Sequence, residues 1–256
     1  MDILYIIGPK SKTNHFELRC SLRSIEKFGK NVGNVYVVGY CPRWLSDEVI
    51  KLPCEDKYKS DDITQFQKNA NICYKLLYAV DHSDIGETFM VSMDDHFYVK
   101  ETDFENYPYF VRNRKNYGIE LPDSSPGTPY LTFLSSVREY IKGKKLPILN
   151  FGLHRNRRVT REDIEACREV LGETINNCIP SGGLIYLSNY RYSKDPFCYK
   201  IVKDVKISNR EQEHLIGDSE VFSTTDFYPF TGLYFLLRKL YPDQSKYEKK
   251  NCLTLL

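Results

Sequence analysis

The apolar run Thr88-Phe89-Met90-Val91-Ser92-Met93 stops abruptly at Asp94-Asp95-His96, and few folds accommodate such a boundary. A short apolar run ending in charge reads as a buried strand that delivers oxygen and nitrogen ligands to its C-terminal edge. In open α/β sheets that edge is where ligands bind. Adjacent carboxylates repel one another at low dielectric, so a cation, a hydrogen-bond network or water must compensate them. A strand followed by a solvated acidic turn is the alternative reading of the same residues.

The preceding residues supply the rest of an α/β half. Ile3 to Ile7 is a compact apolar run closed by Gly8-Pro9, which suits a first central strand. Asn14 with Glu17 three residues later has the form of a capping box, and Leu18, Leu22 and Ile25 then recur at helical spacing until Gly29, predicting a helix over 16–28. Val35-Tyr36-Val37-Val38 follows as a second buried strand, so strand, helix and strand form a right-handed crossover unit. The segment from Pro42 to Pro53 has room for a third short strand. Asp61-Asp62 is placed to cap a helix from about Ile63 to Val80, with Phe66, Ala70, Cys73, Leu77 and Val80 on one face. The expected fold is therefore α/β, with a Rossmann-like N-terminal half and a mixed, mainly parallel central sheet flanked by helices.

With 256 residues the chain is expected to form one domain, a ligand-binding half over 1–100 and an acceptor-side half over 101–256. The net charge of +2 is too small to imply nucleic-acid or membrane binding by itself. Eight cysteines without a C-x-x-C pair suit reduced, buried thiols. The first apolar run lacks a basic leader and is too short for a signal peptide, and no segment is long enough to span a bilayer. A cytoplasmic location is expected.

In the second half, Thr132 to Ile141 is predicted to be helical, and a basic band follows in Lys142, Lys144, Lys145, Arg155, Arg157, Arg158 and Arg161, with His154 inside it. Arg155, Arg157 and Arg158 suit a diphosphate, a phosphorylated acceptor or DNA; a solvated basic face is the ordinary reading of such a run. Thr160-x-x-Asp163 opens a predicted helix to Leu171. Ser181-Gly182-Gly183 allows a close backbone approach to a ligand or makes a plain turn. Asp226, after Thr224-Thr225, is a candidate general base for an acceptor hydroxyl, or a turn residue. On a continuing strand Asp94 and His96 would face one side and Asp95 the other.

Several separated pieces carry a family likeness: Glu17-Leu18-Arg19-Cys20-Ser21-Leu22-Arg23-Ser24-Ile25, Val35 to Val38, Met93-Asp94-Asp95-His96-Phe97, Asn150-Phe151-Gly152-Leu153-His154, Phe222-Ser223-Thr224-Thr225-Asp226, and Tyr241 to Glu248. Together they resemble glycosyltransferases of the GT-A fold, particularly the phage and bacterial relatives of the Stealth capsule-synthesis proteins. The resemblance implies a nucleotide-sugar donor, with Mn²⁺ or Mg²⁺ held by Asp94, Asp95 and His96 and completed by His154. It places the nucleobase near Ile7 and Gly8, and Asp94, Arg155 and Arg158 against the donor. It implies transfer of a hexose or pentose to a hydroxyl of a glycan or, in a phage enzyme acting in the host cytoplasm, of a hydroxylated DNA base. Sugar-1-phosphate transfer is the alternative within the resemblance, and a non-catalytic DNA- or glycan-binding protein the alternative outside it. Two features depart from the family pattern: His at position 96, and Arg155-Asn156-Arg157-Arg158 in place of a proline-containing turn.

Overall fold

The structure, a computed structural model, describes residues 1–11, 13–59, 65–112, 135, 138–139, 142–143, 145, 148–150, 152–165, 199–225 and 232–250. Its centre is a five-stranded sheet of β1 (Asp2–Ile7), β3 (Val35–Gly39), β4 (Val49–Pro53), β5 (Thr88–Ser92) and β9 (Arg157–Thr160), in the order β4-β3-β1-β5-β9. The first four strands are parallel and β9 runs antiparallel, pairing Thr88 with Thr160 and Val91 with Arg157. The second half of the chain thus contributes a strand to the sheet, beside the strand that carries the carboxylates.

Alternation along β1 sorts the core into two faces. Ile3, Tyr5 and Ile7 pack with Leu18, Leu22 and Ile25 of helix α1 (Phe16–Phe28). Leu4 and Ile6 pack with Cys73, Leu76, Leu77 and Val80 of helix α2 (Gln65–Asp81). Because these strands are buried on both faces, they read as unbroken apolar runs. No helix among the described residues is long and apolar enough to cross a membrane.

Smaller pairings complete the frame. β2 (Gly29–Lys30) pairs with β7 (Thr102–Asp103), and β8 (Tyr109–Arg112) with β10 (Tyr199–Val202), both parallel. β12 (Val221–Thr224) lies between β6 (His96–Tyr98), to which it is antiparallel, and β11 (Lys206–Ile207). A third apolar cluster joins Phe16 and Cys20 to Phe97, Phe222 and Leu233, Leu236 and Leu237 of a later helix, Leu233–Leu240.

The C-terminal segment is clamped onto α1. The Glu248 side chain is inaccessible and accepts hydrogen bonds from Arg19 Nη1 at 2.8 Å and from Arg23 Nε at 2.7 Å and Nη2 at 2.9 Å. Ser245 adds its backbone N–H at 3.1 Å, Trp44 stacks on the Arg19 guanidinium at 4.1 Å, and Leu45 bridges to Glu248.

Two local expectations are corrected, and two hold. The Asn14–Glu17 capping box does not form: Asn14 and His15 take left-handed φ values of 51° and 56°, no side chain caps the helix, and Glu17 accepts instead from the Thr13 hydroxyl. The helix after Thr160 opens at Arg161 as expected, with Thr160 itself the last residue of β9. Arg161 leaves the basic band to donate to the carbonyls of Val80, Ser83 and Ile85 where α2 ends. Gly29 ends α1 as expected, in extended conformation, where a Cβ would lie 2.6 Å from the Ile25 carbonyl oxygen. Asp61-Asp62, Ser181-Gly182-Gly183, Asp226 and most of the 132–141 helix lie outside the described residues, as does the continuation of the helix at 161 beyond Glu165.

Candidate active site at the sheet edge

The C-terminal ends of β4, β3, β1 and β5 meet along one edge of the sheet. At β1, β3 and β4 this edge opens into a groove of about 1030 Å³, lined among others by Gly8, Lys10, Tyr40, Cys41, Asp56 and Lys59. Gly39 makes close approach possible there, since at φ 100° its added Cβ would stand 2.2 Å from the Ile7 carbonyl oxygen. Gly8 faces the groove. Ile7 does not: its side chain is in the core, and its carbonyl accepts from Tyr40 N at 3.1 Å and from the buried Lys75 Nζ at 3.0 Å. Lys75 also pairs with Asp56 at 2.5 Å. Tyr40, 42 % exposed, stacks on His15 at 4.8 Å and offers a planar apolar surface at the mouth.

Beside the groove, β5 ends at Ser92 and the chain turns through Met93, Asp94 and Asp95 before His96 opens β6. The strand alternation expected for Asp94, Asp95 and His96 therefore does not apply, because the ladder has ended before the first carboxylate. Helix α1 fixes the turn from below: Ser21 Oγ donates to the His96 carbonyl at 2.6 Å, Tyr5 and Ser21 hydroxyls lie 2.8 Å apart, and Ser24 Oγ accepts from Tyr98 N at 3.1 Å. These serines look misplaced on a buried helical face until β6 is seen to need them.

The electrostatics of the turn are those of uncompensated acid. Burial, then the charges of Asp95 and Glu17, push the Asp94 carboxyl up to about 7. His96 is drawn down to about 4, chiefly by burial and against the pull of Asp95, and is neutral at pH 7. Its Nε2 stands 3.7 Å from Asp95 Oδ1, while Nδ1 lies 3.3 Å from Asn156 Oδ1 and 3.5 Å from Met93 N. A neutral imidazole nitrogen beside a carboxylate oxygen is a fitting pair of donors for a divalent ion. Among the described residues, no three His, Cys, Asp or Glu side chains converge as around a metal. The turn thus fits a cation that completes its coordination with ligand oxygens and water, and does not fit a closed protein cage.

His154 is held by a different partner. Asp204 accepts from its backbone N–H at 3.1 Å and lies 2.6 Å from Nδ1, and Lys206 Nζ lies 3.1 Å from Nε2. Burial would raise the Asp204 carboxyl, but His154 and then Arg112 outweigh it and hold Asp204 at about 2. The arginines after His154 are not a solvated face. Arg155 is 4 % exposed with its guanidinium 4.1 Å above the Phe110 ring. Arg157 donates to the Leu153 carbonyl at 2.8 Å and Arg158 to the Glu105 carbonyl at 2.5 Å. Lys142 and Lys145 are exposed as the band predicted.

The sequence did not single out Glu17 as a third acid near Asp94, Asn156 as the partner of His96 and Ser92, or Asp204 as the partner of His154. Only Asp204 carried a signal, as an acid beside two basic residues.

The mainly parallel sheet flanked by helices is an α/β fold of the GT-A type. Among solved structures, the galactosyltransferase LgtC, in complex with donor and acceptor sugar analogues, superposes with a TM-score of 0.50 over 96% of this chain and 96% of its own, at 8% sequence identity. No protein-family model and no curated protein matches the sequence. The likeness is one of fold, and the narrower resemblance to Stealth relatives gains no support from these comparisons.

Proposed function

We propose that the protein is a glycosyltransferase that moves a sugar from a nucleotide-sugar donor to a hydroxyl acceptor with the help of Mn²⁺ or Mg²⁺. The observation that carries the reading is the placement of the groove at β1, β3 and β4 and of the acidic turn after β5 on one edge of the sheet, with β1 and β5 as neighbouring strands. The groove accommodates a nucleoside against Gly8 and Tyr40, and the diphosphate then extends to Asp94, Asp95 and His96. The bound cation would neutralise charge developing on the diphosphate leaving group. The chain's own contribution is to hold Asp95 and His96 in fixed relation through Ser21 and Asn156, and to keep Asp94 poised to ionise when positive charge arrives. Asp226 is the proposed base for the acceptor hydroxyl, and a glycan is the proposed acceptor class, since the galactosyltransferase neighbour was solved with an acceptor sugar analogue.

The test is thermal unfolding with a panel of nucleotide sugars, with and without Mn²⁺, since a ligand of the native state raises its apparent stability. One donor should stabilise the protein strongly only with the ion, and Asp95→Asn should abolish that dependence. A panel without effect, or an Asp95→Asn variant that keeps the ion dependence, would sink the reading. Release of a nucleoside diphosphate marks glycosyl transfer; release of a monophosphate marks sugar-phosphate transfer.

A further inference from the structure

On the far flank of β5 from the groove, Tyr109, Phe110, Arg155, Asn156, Arg157 and Arg158 line a recess of about 10 Å³. That volume holds about one water-sized particle. Arg155 Nε, Arg158 Nε and Asn156 Nδ2 are all buried without a hydrogen-bond partner, and Arg155 and Asn156 are only 4 % and 2 % exposed. Among the described residues none of the three arginines pairs with a carboxylate, although Asp204 and Glu248 claim arginines elsewhere. A buried donor without a partner is costly, and a buried guanidinium without a counter-charge more so. One water would satisfy donors and leave the charges uncompensated. A single oxyanion satisfies both.

The recess adjoins the acidic turn. Asn156 Oδ1 lies 3.0 Å from Ser92 Oγ and 3.3 Å from His96 Nδ1, and the Arg157 charge bears on His96. The sheet edge therefore carries a groove over β4, β3 and β1, carboxylates after β5, and arginines at the start of β9. With a donor's nucleoside in the groove and its diphosphate at the carboxylates, the arginines fall beyond the carboxylates, on the side away from the nucleoside.

We infer that Arg155, Arg157 and Arg158 with Asn156 form an oxyanion subsite that places one phosphoryl oxygen in the recess, and that the acceptor carries this phosphoryl group. Naming the acceptor as its carrier rests on the glycosyl-transfer reading; the binding of the anion does not. Glycosyl transfer at a hydroxyl leaves this phosphoryl group unchanged, so the subsite recognises the acceptor and takes no part in bond making.

Inorganic phosphate is the probe for the site alone. In thermal unfolding at constant ionic strength set with sodium chloride, phosphate should raise Tm saturably, equally with Mn²⁺ or with EDTA. Arg155→Met or Arg158→Met should raise the half-saturating phosphate concentration roughly tenfold or more, the loss expected for a charged hydrogen bond. Arg158 keeps part of its surface exposed, so Arg158→Met carries the test if Arg155→Met does not fold. Lys68→Met in the groove serves as the control and should leave the response unchanged. No saturable response, a response that needs the cation, one that both arginine variants retain, or competition between phosphate and the donor each overturns the subsite. Given transfer activity, phosphorylated saccharide acceptors should outperform their neutral counterparts, and Arg158→Met should raise KM for the acceptor and not for the donor. Equal use of neutral acceptors overturns the assignment to the acceptor while leaving the donor reading intact.

Discussion

Replacing Glu248 with Ala would test whether the C-terminal clamp on α1 is a principal source of stability. Its side chain is fully buried and accepts from two arginines through three bonds of 2.7 to 2.9 Å, while Arg19 keeps only 4 % and Arg23 only 12 % of its side-chain surface accessible. Removing one member of such a group strands buried positive charge, a loss of about 3–5 kcal/mol. For a chain of this size that corresponds to a fall in Tm of roughly 6–20 °C. Urea denaturation at pH 7 measures the free energy, and an unchanged m-value would assign the loss to the native state. The pH dependence supplies an independent check. Burial would raise the Glu248 carboxyl, but hydrogen bonding and charge from Arg23 outweigh it and hold it below the ordinary range. A depressed native value means that the stabilisation is present above the unfolded value and is lost as pH falls through the native one. Glu248→Gln should lack this acid-sensitive component. A loss below about 1 kcal/mol, the level of an exposed pair, would refute the reasoning.

Gly39→Ala should lower stability by at least about 2 kcal/mol in denaturant titration, because φ is 100° and the new Cβ would meet the Ile7 carbonyl oxygen at 2.2 Å; a neutral result would mean that β1 and β3 separate easily at the groove. Asp204→Asn should flatten the stability profile on the acid side of neutrality: the native carboxyl sits at about 2, below its unfolded value, so wild-type stability falls as pH drops toward 2 and the variant loses that contribution. Thermal melts of both proteins across that range show whether the difference exists.

The first hundred residues were legible because their elements bury both faces. The apolar run ending at Ile7, the 3.6-residue spacing of Leu18, Leu22 and Ile25, and Val35 to Val38 each became the element expected, and α1 spans the predicted 16–28. The end of β5 was legible as a ligand edge, yet the turn geometry was not: periodicity describes a ladder and is silent once pairing stops after Ser92. Arg155 misled for a related reason. Its type predicts solvent, and only the ring of Phe110, 45 residues away in sequence, makes its burial intelligible. Glu17 fitted a local capping pattern so well that its approach to Asp94, which depends on how α1 lies across the sheet, had no sequence signal.

The Glu248 clamp also bears on the order of folding. Its bond to Arg19 spans 229 residues, so it forms only after all the intervening chain has been made. Until then Arg19 and Arg23 lack this counter-charge, whereas the bonds of Ser21 and Ser24 to the strand after the acidic turn span only 75 and 74 residues. Contacts of such long sequence separation are slow to close because loop entropy must be overcome first. The N-terminal crossover is thus built from contacts close in sequence, while the bond that holds α1 against the C-terminal segment draws on the far end of the described chain.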